Sequence, residues 1–391
     1  MKRIFLTATA IMSIICARSQ VTTDSSTYKS RRLKVEEINL VSSYYSQTGD
    51  NAAVTGGIGS QKLTDLANTI DIKLTRYDKK WRKHSFDGEL GIDHYTSASS
   101  DMIDLKANSS ASHADTRVYP SLTWSIENEK KGQTLGIGAS ASSEYDYRSV
   151  GFNLSYSQKT KDRNGEFTVK GQAFLDRVKQ ILPEELRNGP EPASQARNTF
   201  VGTVSYSQII NKNLQVAIVA DFASQSGFLS LPFYRVYFND GTVHQEKLPD
   251  TRTKLPLGIR ANYFLGDNVI IRTYYRYYTD NWGLKSHTAN LEVPLKVSPF
   301  LSVSPFYRFY SQSAIDYFAP YRQHTAADQY YSSNYDLSGF SSNYVGAGFR
   351  VTPPNGVFGL QHVNMAELRY GRYSKNIGMN SNSISLNLKF K

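Results

Sequence analysis

The chain has 391 residues, 45 lysines and arginines against 34 aspartates and glutamates, a formal charge of +11 and one cysteine, Cys16. A lone cysteine so near the start excludes disulfides, thiolate metal centres and a cysteine nucleophile from the rest of the chain. Mean hydropathy is −0.45, no later stretch approaches the roughly 18–20 apolar residues of a membrane helix, and the bases are scattered, which speaks against nucleic acid as a partner.

Residues 1–19 read as a secretory signal peptide. Lys2 and Arg3 precede an apolar stretch over positions 4–16, and Ala17-Arg18-Ser19 supplies a small-x-small cleavage site. Ile15 is too bulky to precede a lipidated Cys16. The charge of +11 falls by three when Lys2, Arg3 and Arg18 leave with the signal. Residues 20–34 are rich in Ser and Thr without periodicity and read as a flexible periplasmic lead.

From residue 35 onward the pattern has a period of two, which places alternate side chains on opposite faces of a strand. Ile38, Leu40 and Tyr44 share a face over residues 35–45, and Ile70, Ile72 and Leu74 alternate with Asp71, Lys73 and Thr75 over 68–77. Phe86, Leu90 and Ile92 then oppose Asp87, Glu89, Asp93 and Tyr95. The middle repeats the theme: Val118, Pro120, Leu122, Trp124 and Ile126; then Leu135, Ile137, Ala139 and Ala141; then Val150, Phe152, Leu154 and Tyr156. Further strands are expected near 167–175, 198–209, 214–223, 255–265, 269–278, 290–297, 301–311, 343–351 and 363–373. The last residues, Ser383-Ile384-Ser385-Leu386-Asn387-Leu388-Lys389-Phe390-Lys391, form a ribbon that is apolar on one side and polar on the other.

Connection lengths alternate as well. Turns near Lys79, Lys130, Asn164, Lys212, Asp267, Pro299 and Asn355 are tight, while 48–66, 98–115, 180–197, 225–249 and 316–336 read as long loops. Short periplasmic turns with long extracellular loops, and an apolar face toward lipid with a polar face toward the lumen, are the outer-membrane pattern. The expected fold is all-β: a transmembrane antiparallel up-and-down β-barrel of about sixteen strands, fourteen being the alternative. Residues 35–391 form that one domain. Expected partners are outer-membrane lipid and the barrel-assembly machinery acting on the C-terminal strand, in which Phe390 is penultimate.

Residues 35–45 (Val-Glu-Glu-Ile-Asn-Leu-Val-Ser-Ser-Tyr-Tyr), with Asn51-Ala52-Ala53-Val54-Thr55-Gly56-Gly57-Ile58-Gly59 and Leu63-Thr64-Asp65 after them, resemble domain-of-unknown-function family 3570. The resemblance implies a predicted outer-membrane protein of a Gram-negative bacterium. It brings no ligand and no catalytic residue. It also implies a genetic neighbourhood with a flavin transferase and a small lipoprotein, hence a possible periplasmic lipoprotein partner or redox work at the envelope.

Gly56-Gly57-Ile58-Gly59 lacks the strand–turn–helix context of a phosphate-cradling loop. It reads instead as a packed loop that uses the positive φ open to glycine, folded inward or over the pore. The histidines at 84, 94, 113, 244, 287, 324 and 362 show no metal-ligand spacing. Asp93 with His94 and Ser286 with His287 are sequence neighbours on strands, so each pair points to opposite faces and makes no catalytic dyad. A barrel enzyme is therefore the third reading, with no cofactor called for.

The aromatic runs Tyr274-Tyr275-Arg276-Tyr277-Tyr278 and Phe306-Tyr307-Arg308-Phe309-Tyr310 split between two faces. Tyr275, Tyr277, Tyr307 and Phe309 suit the lipid interface, leaving Tyr274, Tyr278, Tyr310, Arg276 and Arg308 for the lumen. Inward acids crowd the early strands (Asp71, Asp87, Glu89, Asp93 and Glu127), and inward bases the later ones (Arg260, Arg272, Arg276, Arg308, Arg350 and Arg369). Closing the sheet sets one arc against the other, giving a transverse field or a salt-bridge network that shuts the pore. Arg276 and Arg308 are the first choices for solute contact. The leading functional expectation is a porin-like channel or binding barrel for small polar or anionic solutes. The alternative is a non-conducting interaction barrel acting with a periplasmic lipoprotein or flavoprotein.

Overall fold

The computed structural model describes residues 29–96, 114–187, 189–190 and 192–390. The signal-peptide reading, Cys16, His113, most of the expected loop 98–115 and Lys391 lie outside the described residues.

The wall is a single antiparallel sheet that closes on itself. Its strands are β1 (Lys34–Thr48), β2 (Leu63–Tyr77), β3 (Lys83–Thr96), β4 (Ala114–Asn128), β5 (Gln133–Ser143), β6 (Tyr147–Lys159), β7 (Gly165–Val178), β8 (Gln195–Asn211) and β9 (Leu214–Gly227). Two short strands, β10 (Arg235–Tyr237) and β11 (Val243–Gln245), pair only with each other. The wall resumes with β12 (Thr251–Leu265), β13 (Val269–Asp280), β14 (Lys285–Glu292), β15 (Leu295–Ser298), β16 (Leu301–Gln312), β17 (Phe340–Val351), β18 (Val363–Lys375) and β19 (Asn380–Phe390). β14 and β15 each pair with β13 and β16, so they share one place and the barrel has sixteen wall positions. The break falls at Val293 and Pro294, where proline has no N–H to give the ladder. The sequence reading ran one strand over 290–297; the structure begins it earlier and interrupts it there.

Closure is made by β1 against β19, in register from Ile38 opposite Phe390 to Thr48 opposite Asn380. A closed sheet leaves no unpaired edge, the condition for strands to cross hydrocarbon. Pairing fixes the faces. Ile384 and Leu386 lie opposite Tyr44 and Ser42, and the face they share carries Leu122, Ile137, Phe152, Leu154, Ile218, Phe222, Val345 and Phe349, all exposed. So large an apolar belt has no place against water and belongs against lipid.

The two ends differ. One carries turns such as 212–213 and 266–268; the other carries 49–62, 179–194, 228–250 and 313–339. The sequence reading made the first of these loops too long, because β2 begins at Leu63, where Leu63, Thr64 and Asp65 pair with Gln47, Ser46 and Tyr45. Three connections at the long-loop end, 144–146, 281–284 and 376–379, are themselves short.

Candidate functional site

Register alone arranges the lumen into rows. Arg260 lies opposite Tyr274, Tyr274 opposite Asn290, Asn290 opposite Arg308, and Arg308 opposite Tyr344. The adjoining row runs Gly258, Arg276, Thr288, Tyr310 and Ser342. The Arg260 guanidinium stands 5.5 Å from the Tyr274 ring, and that of Arg308 5.8 Å from Tyr344, within cation–π range. Among the described residues, no carboxylate lies within ion-pair distance of Arg260, Arg276 or Arg308. Arg276 Nε and the hydroxyls of Thr288 and Ser342 are buried without a hydrogen-bond partner. These three arginines are uncompensated positive charge on one side of the lumen.

The other three expected arginines share two carboxylates. Arg350 pairs with Glu367 at 2.6 Å, Arg369 with Glu367 at 3.0 Å and with Glu292 at 3.3 Å, and Arg272 with Glu292 at 3.8 Å. Glu292 and Glu367 were missed from sequence. Glu367 precedes Arg369 by two residues and so shares its face, a signal that was available; Glu292 required the register opposite Arg272. The network is thus made within the basic sector, by Glu292 and Glu367, and among the described residues none of its pairs crosses the lumen to the acids of the early strands.

The acids keep the lumen face that alternation assigned them. Asp71 lies opposite Glu89, Asp87 opposite Lys73, and Asp93 accepts a hydrogen bond from the Tyr119 hydroxyl at 3.0 Å. None of the four has a Lys or Arg nitrogen within 4.0 Å among the described residues. β3, which carries Asp87, Glu89 and Asp93, sits halfway round the wall from β13, which carries Arg276. A cavity of about 750 Å³ joins Asp71 and Glu89 to Arg350 and to the Lys389–Glu37 pair, which closes at 2.6 Å. Glu127 is held by Lys159 at 2.9 Å.

The long loops fold together over the mouth. Loop 49–62 leaves between β1 and β2, and loop 228–250 between β9 and β12, directly across the barrel. They nevertheless touch: Val54 packs against Phe233 and Tyr234, and Arg235 Nη1 donates to the Val54 carbonyl at 3.0 Å. Arg235 also pairs with Glu185 of loop 179–194. Loop 313–339 joins through Glu246, whose carboxylate accepts from the Ser332 hydroxyl at 2.6 Å, and through backbone bonds between Lys247 and Tyr331. Contact between hairpins on opposite sides requires that the loops cross the opening. They form a cap with its own apolar centre of Leu248, Trp282, Leu284 and Ile315. Arg197 of the wall donates to the Phe228 carbonyl at 2.8 Å, and Lys375 pairs with Asp336, so the cap is tied to the lumen face.

Gly56-Gly57-Ile58-Gly59 belongs to this cap. Gly56, Gly57 and Gly59 all take positive φ, and a Cβ on Gly57 would meet the Ser333 carbonyl at 2.7 Å. It is a packing loop with no helix behind it.

A family model described as "Protein of unknown function (DUF3570)" matches residues 105–358. The chain belongs to the DUF3570 family. The matched stretch begins beyond residues 35–65, on which the sequence resemblance rested, and takes in the wall from β4 to β17. No curated protein matches the chain. Among solved structures, the siderophore receptor PirA from Acinetobacter baumannii aligns with a TM-score of 0.47 at 9% identity, over 87% of this chain and 53% of that one. CdiB from Acinetobacter baumannii gives 0.48 at 10%, over 91% and 60%. A BenF-like porin from Pseudomonas fluorescens Pf-5 gives 0.43 at 9%, over 90% and 98%. The chain spans little more than half the length of the first two.

In this DUF3570 member the two histidines that follow an aspartate or a serine on a strand, His94 and His287, bond other neighbours, while His84 lies 3.4 Å from Asp78 and His324 3.1 Å from Asp328. His94 Nδ1 bonds Thr116 Oγ1 at 2.9 Å on the lipid side, while Asp93 faces the lumen. His287 bonds the Tyr275 hydroxyl at 2.7 Å, away from Ser286. Asp115, Glu144 and Asp146 gather near the 144–146 turn. Burial and these two neighbouring acids push the Asp146 carboxyl up to about 6. Asp115 already accepts from the backbone of Thr116 and Tyr145, and Glu144 from the Tyr95 hydroxyl.

Proposed function

We propose that this chain is an outer-membrane porin-like barrel that binds small anionic solutes in its lumen and passes them when the cap is displaced. One observation carries the reading: Arg260, Arg276 and Arg308 stand in two adjoining rows, tyrosines beside them, with no carboxylate among the described residues to neutralise them. An arginine fork with aromatic neighbours suits a carboxylate or phosphate on a small organic solute. The acids of β2 and β3 on the other side add a field across the path, which orders a dipolar solute as it moves.

The test is ion selectivity of the purified protein in a planar bilayer. Replacing Arg276 and Arg308 together by Glu is expected to shift selectivity toward cations. Selectivity unchanged in that variant would remove both residues from the pathway.

A second reading has its own support. The crossed cap and the Arg272–Glu292–Arg369–Glu367–Arg350 network both favour a barrel that does not conduct at rest and serves a periplasmic lipoprotein or flavoprotein partner. With short turns toward the periplasm, the 750 Å³ cavity and its mixed charges offer a receptive face on that side. Co-purification of such a partner from native membranes, with no single-channel steps under any condition, would favour this reading over the first.

A further inference from the structure

We propose that the cap is a displaceable gate whose sensor is Glu246, buried on the seam where it meets Ser332, shut while Glu246 carries a proton and eased when it is ionised. The contact lies on the seam between loops 228–250 and 313–339, which also meet through backbone bridges at Lys247 with Tyr331 and Phe238 with His324, through the ring pairs Tyr237–Tyr321 and Phe238–Tyr331, and through Leu248 with Ile315. Glu246 is 4% exposed and Ser332 is fully buried. Glu246 Oε2 accepts from the Leu231 N–H at 2.8 Å while Oε1 accepts from Ser332, so the carboxyl ties its own loop to the other. The same Ser332 hydroxyl accepts from the Asn334 N–H at 3.1 Å.

No cation pairs with Glu246 among the described residues. Its own loop presents Tyr234, His244 and Lys247 nearby; the facing loop presents His324, Asp328, Tyr331 and Asp336; the wall presents Arg197. Asp328 is engaged by His324, whose other ring nitrogen lies 3.1 Å from the Ser332 carbonyl oxygen. Arg197 is spent on the carbonyls of Phe228 and Ser230. A carboxylate in such a place bears the cost of lost hydration without a counter-charge.

Burial outweighs the hydrogen bonds from Ser332 and Leu231, which favour the ionised form, and pushes the Glu246 carboxyl from 4.5 up to about 7. With the cap lifted, water returns the group toward its ordinary value. The closed form therefore holds the proton more tightly and is favoured by acid. That advantage is whole below about 4.5, declines as the pH rises and is gone above about 7. The linked change in the open-to-closed ratio is on the order of a hundredfold.

Two readouts test the gate on the full chain. Trp282, 2% exposed, packs with Leu248 of one cap loop and Ile315 of the other, so its emission moves to the red when they lift. With Trp81 and Trp124 replaced by Phe, emission is expected to shift between pH 5 and pH 8, and Glu246→Gln to abolish the shift. Ser332→Ala is a second variant, expected to move the midpoint because it removes a donor to the ionised form. Single-channel opening should follow the same titration; this arm rests on the channel reading above, and the fluorescence arm does not. An emission shift without currents keeps the gate and rejects the channel. A Trp282 emission that is flat from pH 5 to 8, or a Glu246→Gln protein that titrates like the parent, overturns the proposal. So does loss of the transition in His324→Gln with Glu246 intact, which would make the histidine the sensor.

Discussion

Arg235 and Val54 sit on hairpins rooted on opposite sides of the barrel, yet the guanidinium Nη1 donates to the Val54 carbonyl at 3.0 Å. Arg235 is 5% exposed and is also paired with Glu185, so one side chain joins three loops. Arg235→Ala is expected to weaken the closed cap by about 2–3 kcal/mol, the scale of lost charge-assisted hydrogen bonds. Trp282 emission at pH 5 should shift to the red while the barrel stays heat-modifiable on gels. Unaltered emission would mean the loops hold without this pin. Arg235→Lys keeps the charge without the fork and should fall between the two.

Gly57 offers a test of packing without charge. Its φ is +87° and an added Cβ would lie 2.7 Å from the Ser333 carbonyl oxygen. Gly57→Ala is expected to loosen the cap by about 1–3 kcal/mol, the cost of a sparsely populated backbone region. Gly171 in β7 has nothing within 4 Å of an added Cβ. Gly171→Ala should leave both emission and heat stability unchanged, and serves as the control.

The ionic network makes an electrostatic prediction. Glu367 holds both Arg350 and Arg369, so Glu367→Gln leaves two lumen arginines with weakened partners. Anion preference in reversal-potential measurements should rise, and unfolding on heating should occur earlier, by about 1–3 kcal/mol for a partly buried pair. A variant with higher cation preference would contradict the assignment of these groups to the lumen.

The closing seam is the fourth test. Phe390 pairs with Ile38 of β1 and with Val363 of β18, so it is the last rung on both neighbours. Deleting Phe390 and Lys391 is expected to lower the fraction of assembled, heat-modifiable barrel in outer-membrane preparations severalfold. Normal yield would show that the seam closes without it.

Much of the wall was legible because strand alternation is local. Asp71, Glu89, Arg276 and Arg308 could be assigned to the lumen from neighbours two residues away, with no knowledge of what lay opposite. The errors lie where that signal lapses. The start of β2 is hidden because Asn68 interrupts the apolar face between Leu66 and Ile70, and the strand near 290 is misread because Pro294 breaks its ladder. Glu292 and Glu367 were passed over as single charges, since their meaning depends on which arginines the register brings beside them.

What the chain determined by itself is the two-faced ribbon, its repetition around a closed barrel and the choice of inner and outer residues, all consequences of a two-residue period. Tertiary structure decided which charges are spent and which are free: Arg350 and Arg369 found carboxylates, whereas Arg276 and Arg308 found none among the described residues. It also decided that the mouth is crossed. Arg235 and Val54 are 181 residues apart, and Glu246 and Ser332 are 86 apart. No periodicity links such positions; closure of the sheet sets where the hairpins stand, and only then can their loops meet.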